Sequence, residues 1–200
     1  MVQTFTLLSL AGKSEQPATF GNASILVIDA QNEYRSGRLM LDGVEPALQQ
    51  ISGLLNLARA AASPVIHIRH AGAPGGAFDL SHERGQIAEA VKPVDDELII
   101  DKSLPNAFAG TDLHSRLSDI GRQQLIVIGF MTHMCVSSTV RAALDLGYKS
   151  TVVASATATR ALPGGACSQV VSAPMLQQAT LAALGDRFAT VIGLPGEILA

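Results

Sequence analysis

The chain has 200 residues, 48% of them hydrophobic and 16% charged, a balance that suits one compact domain with a large core and excludes disordered, collagen-like and coiled-coil chains. Its 14 Lys and Arg stand against 17 Asp and Glu for a net charge of −3, with the basic residues scattered, so neither nucleic acid nor a membrane surface is an expected partner. No apolar run approaches the roughly 18 residues of a spanning helix, and Met1–Ala11 has no basic region ahead of its apolar patch, so a cytoplasmic location is expected.

Residues 1–21 show no consistent period and contain Gly12, Lys13, Ser14, Glu15 and Pro17. They read as an arm laid over the domain or over a neighbouring subunit, within a single domain spanning 1–200. From residue 22 onward short β-branched runs alternate with longer amphipathic ones, the rhythm of βαβ units and a parallel sheet. The strand candidates are 24–29, 65–69, 97–100, 124–129, 150–154 and 189–192, each almost unbroken in apolar residues, as strands covered on both faces are. Between the first two, Val44, Leu48, Ile51, Leu55 and Ala58 mark one face of a helix, with Pro46 in its first turn and Ser63-Pro64 as its stop. Leu113, Leu117 and Ile120 before Gly121 mark a short helix. Val136, Val140, Ala143 and Leu144 mark another, with Thr132 the expected N-cap and Gly147 the residue past its end. Leu176, Thr180 and Ala183, with Pro174 in the first turn, mark the last. The expected fold is a three-layer α/β/α Rossmann-like domain whose six-stranded parallel sheet has the order 3-2-1-4-5-6. Its ligand crevice would lie between strands 1 and 4 beyond the strand ends.

The residues standing at those ends are few and reactive. Asp29 closes the first strand, followed by Gln31 and Tyr34; Arg69-His70 closes the second, Asp101-Lys102 the third and Gly129 the fourth, shortly before Cys135. With Thr132 as N-cap, Cys135 would sit among unpaired backbone N–H groups at the positive end of a helix dipole, and both effects favour a thiolate. The bland alternative is a small buried hydrophobe. A lone carboxylate after four apolar residues calls for a cationic or thiol partner, unless Asp29 only caps the next turn. Lys102 could equally be a solvated loop lysine. Side chains alternate along a strand, so only one of Asp101 and Lys102 is expected to enter the crevice.

Five histidines are present, among them His67, His70 and His133. His67 and His70, three apart in a strand, face opposite ways and cannot share an ion. His133 reads as a surface or interface residue at the helix start, although it could in principle pair with a thiolate. The run Ala71–Gly76 has neither a P-loop ending nor a GxGxxG order and reads as a mobile loop, so nucleotide phosphate is not an expected ligand. The two cysteines, Cys135 and Cys167, show no CxxC or zinc spacing and are expected as free thiols, Cys167 the inert one.

Three motifs carry a resemblance: Ile25-Leu26-Val27-Ile28-Asp29-Ala30-Gln31-Asn32; Asp101-Lys102 with Asn106-Ala107-Phe108 and Thr111-Asp112-Leu113; and Gly129-Phe130-Met131-Thr132-His133-Met134-Cys135-Val136 with Arg141-Ala142-Ala143 and Gly147-Tyr148. In this order, over residues 22–192, the chain resembles the isochorismatase-like cysteine hydrolases, relatives of nicotinamidase and N-carbamoylsarcosine amidase. The resemblance implies an Asp29-Lys102-Cys135 triad forming a thioester with a carbonyl substrate. It also implies a cis Phe130–Met131 peptide and an oxyanion hole from the backbone N–H groups of Met131 and Cys135.

The nicotinamidase Asp-x-His metal motif reads Ile68-Arg69-His70 here, so no metal or other cofactor is expected and nicotinamide is a poor candidate substrate. The Thr-Asp-x-Cys common in the family reads Thr132-His133-Met134-Cys135, a change that bears on substrate recognition. Gln31, Tyr34, His70, Phe78 and Phe108 are the candidates for lining a small-molecule pocket, and a homodimer or homotetramer is expected. Cleavage of a C–N bond in an amide, carbamoyl or ureido substrate is the leading expectation. Vinyl-ether hydrolysis of the isochorismatase kind and a non-catalytic flavodoxin-like binding module are the alternatives.

Overall fold

Six parallel strands in the order β3-β2-β1-β4-β5-β6 form the centre of the computed structural model, which describes residues 4–12, 16–165 and 169–198. The strands are β1 (Ala23–Ile28), β2 (Val65–His70), β3 (Leu98–Lys102), β4 (Gln124–Phe130), β5 (Lys149–Ala158) and β6 (Ala189–Ile192). The chain reverses its direction of travel across the sheet between β1 and β4, which pair directly from Ala23↔Gln124 to Ile28↔Gly129. β1 is buried along its whole length. Ile25 and Val27 join one core cluster while Leu26 and Ile28 join the other, which is why the strand reads as an unbroken apolar run.

The first cluster packs under α3 (Val44–Ala60), whose buried residues include Val44, Leu48, Ile51, Leu55 and Ala58. The second is covered by α4 (Leu113–Ile120), α5 (Ser137–Asp145) and Leu184 of α6 (Ala173–Arg187). Two further short helices, α1 (Leu7–Leu10) and α2 (Glu33–Ser36), lie outside this frame. The described part of the N-terminal segment packs on its own domain: Leu7 N donates to Asp186 Oδ1 of α6 at 2.9 Å, Ala18 N donates to Thr151 Oγ1 at 2.8 Å, and Ala18 and Phe20 are buried. Cys167 lies outside the described residues. Among the described residues no helix is long and apolar enough to cross a membrane.

Several elements differ from the sequence reading. β5 continues to Ala158 because three residues bulge out between two registers: Val127 pairs with Val152, but Gly129 pairs with Thr157. The small residues of 154–158 hide that continuation. α6 buries Ala173 and Leu184 and half-buries the predicted Leu176 and Thr180, while Ala183 is exposed, so its inner face closes on Leu184 in place of Ala183. Thr132 does not cap a helix. Its hydroxyl donates to Ala158 O at 3.0 Å, and the chain enters α5 through a π turn over Thr132–Val136 closed by Val136 N to Met131 O at 3.2 Å.

Candidate active site

Three strand ends and one turn bring the reactive side chains together. Asp29 follows β1 with a left-handed φ of 49°, a conformation a non-glycine residue adopts at a cost when its surroundings impose it. Here Asp29 N is held to Ile68 O at 2.9 Å while Gln31 N donates to Asp29 O at 2.7 Å, so the side chain is delivered into the crevice. On the neighbouring side, Gly129 permits the approach of β4: a Cβ there would stand 2.0 Å from Ile28 O, and its φ is 113°. That contact brings the Cys135 turn within reach of Asp29.

β3 settles the choice between Asp101 and Lys102 by alternation. Asp101 is exposed and takes a two-pronged ion pair from Arg69, Nε to Oδ1 at 2.7 Å and Nη2 to Oδ2 at 2.9 Å. Lys102 is buried, and its Nζ lies 2.8 Å from Asp29 Oδ2 and 3.3 Å from Cys135 Sγ and donates to His70 Nδ1 at 3.2 Å. Asp29 and Cys135 are also shut off from solvent, at 0% and 4% exposure, so these charges act on one another with little screening.

Burial raises the Asp29 carboxyl above the ordinary carboxylate range, against the opposing pull of Lys102. Burial, reinforced by the Asp29 charge, pushes the Cys135 thiol up to about 12. The helix position read from the sequence favours a thiolate; desolvation and the neighbouring carboxylate act the other way and favour the thiol. Moving a proton from sulfur to Asp29 leaves the net charge of the buried group unchanged, which keeps that transfer free of net charge burial. Burial and the Lys102 charge lower His70 to about 4, so its ring is neutral near pH 7.

The other expected pocket residues fall in different surroundings. Gln31 is fully buried, with Nε2 donating to His70 O at 2.9 Å and Gly85 O at 2.7 Å and Oε1 accepting from His70 N at 2.8 Å. It clamps two loops to β2 and has little hydrogen-bonding capacity left for a ligand. Tyr34, Phe78 and His70 form a contiguous edge-to-face series, with Phe78 5.1 Å from both other rings, and Phe130 packs behind Tyr34 at 5.8 Å. Phe108 is not part of that series. It stacks on Tyr148 at 5.9 Å and belongs to the opposite core cluster. The Phe130–Met131 peptide is cis.

His133, read from sequence as a surface or interface residue, is half-buried and bonded through Nδ1 to Thr159 Oγ1 at 2.5 Å. Thr159 itself was invisible to sequence reasoning because the predicted strand ended at Ala154. Glu33, fully buried, accepts from Arg38 N at 2.6 Å and faces Arg84 at 3.6 Å; nothing in its polar local sequence marks it as interior.

Among the described residues one group offers metal-ligand atoms in convergence, Asp29, His70 and Cys135, all within 4.8 Å of one another. Lys102 Nζ lies within 3.3 Å of an atom of each. The cation those atoms surround is supplied by the chain, and a metal ion would have to displace it, so the donor set does not fit a resident metal.

The isochorismatase domain model matches residues 23–194. The uncharacterized isochorismatase family protein YddQ of Bacillus subtilis is 38% identical over 171 residues, covering 84% of this chain and 94% of that one. Streptothricin hydrolase of Streptomyces noursei is 35% identical over 82% of this chain and 59% of its own. Ureidoacrylate amidohydrolase RutB of Stutzerimonas stutzeri is 28% identical over 67% of this chain and 68% of its own. The crystal structure of an isochorismatase from Pseudomonas putida superposes with a TM-score of 0.94 at 41% identity, covering 98% of this chain and all of that one. Fold, motifs and relatives agree: the chain belongs to the isochorismatase family and is a hydrolase.

Proposed function

We propose that this hydrolase cleaves a C–N bond in a small amide, carbamoyl or ureido compound through a thioester on Cys135. The observation that carries the reading is the contact of Lys102 Nζ with both Asp29 Oδ2 at 2.8 Å and Cys135 Sγ at 3.3 Å, buried at the switch point of the sheet. The names of streptothricin hydrolase and ureidoacrylate amidohydrolase RutB place hydrolytic chemistry among its relatives.

Asp29 accepts the thiol proton as sulfur attacks the carbonyl carbon, and Lys102 offsets the charge on whichever partner holds it. The carbonyl oxygen takes the negative charge and is received by the backbone N–H groups of Met131 and Cys135. Collapse breaks the C–N bond, and the leaving nitrogen takes the proton from Asp29. Water then attacks the thioester, gives a proton to Asp29 and releases the acid, and the proton returns to sulfur. Tyr34, His70 and Phe78 form the wall against which the substrate lies.

Ammonia or amine release from a panel of small amides, carbamoyl and ureido compounds tests this reading, alongside pyruvate release from isochorismate. Turnover of a C–N substrate that disappears in Cys135→Ala is the expected result. Pyruvate release alone would move the enzyme to vinyl-ether hydrolysis, and turnover that survives in Cys135→Ala would remove the sulfur from the mechanism.

A further inference from the structure

Lys102 Nζ meets Asp29 Oδ2 at 2.8 Å and Cys135 Sγ at 3.3 Å, the two contacts the proposed mechanism uses, and has a third partner in His70 Nδ1 at 3.2 Å. That mechanism gives the third contact no part. An ammonium has three N–H bonds and no lone pair, so each contact runs from nitrogen to acceptor and all three donors are engaged. A ring nitrogen receives an N–H only through its own lone pair, and the His70 ring, kept neutral by burial and by the Lys102 charge, has one to offer.

The fold fixes the place of that lone pair at several points. His70 and Lys102 stand directly opposite in the β2–β3 register, and Ala71 N continues the ladder beyond them with a bond to Lys102 O at 2.8 Å. The Gln31 amide grips the backbone of His70 through both its N–H and its carbonyl, and the His70 ring packs edge-on against Phe78 with centroids 5.1 Å apart. Gln31 N in turn donates to Asp29 O. From Asp29 to Gln31, to His70, to Lys102 and back to Asp29, the contacts close into a circuit, and Cys135 is reached through the ammonium. A lysine carries its charge on a flexible four-carbon stem, and the circuit supplies the fixed point that holds the charge on two partners at once.

We propose that His70 is a positioning residue: its Nδ1 lone pair takes the third N–H of Lys102 and so keeps the other two on Asp29 and Cys135. This role acts through Lys102 and is separate from the place of the ring in the substrate wall. The proposal rests on Cys135 being the nucleophile, and it deepens that reading by naming what aims the lysine.

Leucine and asparagine are close in size and shape, and an asparagine Oδ1 falls near the place where histidine carries Nδ1. His70→Leu and His70→Asn therefore open the same space to a reagent or substrate and differ in the acceptor. With leucine, one donor of a buried ammonium is orphaned, and the charge turns away from sulfur to find a partner. At pH 7.5 iodoacetamide is expected to modify Cys135 about tenfold more slowly, or slower still, in His70→Leu than in His70→Asn, both variants being folded by circular dichroism. On a C–N substrate from the panel, KM is expected to move alike in both variants, while kcat falls by about tenfold or more in His70→Leu alone. In the unaltered protein, NMR of 15N-labelled histidine is expected to show His70 protonated on Nε2 and bare on Nδ1, a measurement that needs no variant. Equal labelling rates in the two folded variants, or a proton on Nδ1, overturns the role of His70 and leaves the nucleophile reading standing. Turnover that survives in Cys135→Ala overturns the nucleophile reading and this proposal with it.

Discussion

Replacing Asp29 by Asn should make Cys135 more reactive toward alkylation while destroying hydrolysis. The carboxylate oxygen and the sulfur lie within 4.8 Å of each other, both buried, and at an effective dielectric constant of about 20 a unit charge at that separation is worth about 3.5 kcal/mol. Removing it favours the thiolate by roughly 350-fold, since 1.36 kcal/mol is a factor of ten. A less basic thiolate is also a weaker nucleophile, with a Brønsted slope near 0.45, which takes back about 14-fold. The expected gain in the iodoacetamide rate at pH 7.5 is about 25-fold, read as loss of the unmodified Cys135 peptide by mass spectrometry. Hydrolysis fails in the same protein for lack of a proton acceptor. An Asn variant that folds cooperatively and labels no faster than the parent would refute the assignment of the resting proton to sulfur.

Lys102→Met removes the cation from a buried carboxylate, and breaking a buried pair from one side costs about 3–5 kcal/mol; thermal unfolding should fall by roughly 10 °C or more, with hydrolysis lost. Gly129→Ala places a Cβ 2.0 Å from Ile28 O at a φ of 113°, a steric and backbone penalty of about 3 kcal/mol or more, and soluble yield or melting temperature should drop accordingly. His70, lowered to about 4 from an ordinary 6.5, takes up its proton in the unfolded chain first. Its contribution to stability is therefore complete above pH 6.5 and is lost as pH falls toward 4. Urea midpoints across that window should decline, and His70→Gln should flatten the decline.

Much of this architecture was legible because buried parallel strands announce themselves as apolar runs and the strand ends carry the ligands. Asp29, Lys102 and Cys135 were conspicuous as polar groups placed against that pattern. Alternation alone reduced Asp101 and Lys102 to one occupant of the crevice, but only the register of His70 with Lys102 shows which. The extension of β5 was hidden by its bulge, and with it the place of Thr159 and Arg160. Thr132 has the composition of an N-cap, yet the carbonyl of Ala158 competes for its hydroxyl through a contact distant in sequence. Gln31 looked like a pocket residue for its position, while its amide is engaged by the backbone of His70 at the end of β2 and of Gly85. Helix position, which favours a thiolate at Cys135, is local information, whereas the desolvation and the Asp29 field that push the thiol up come from the folded assembly of three strands.

The most direct test of the account is intact-protein mass spectrometry of the enzyme quenched in acid during turnover of a C–N substrate found in the panel. The account predicts a population heavier by the acyl group, located on the Cys135 peptide, discharged by hydroxylamine and absent from Cys135→Ala. Turnover with no adduct on Cys135, and full activity in Cys135→Ala, would contradict it.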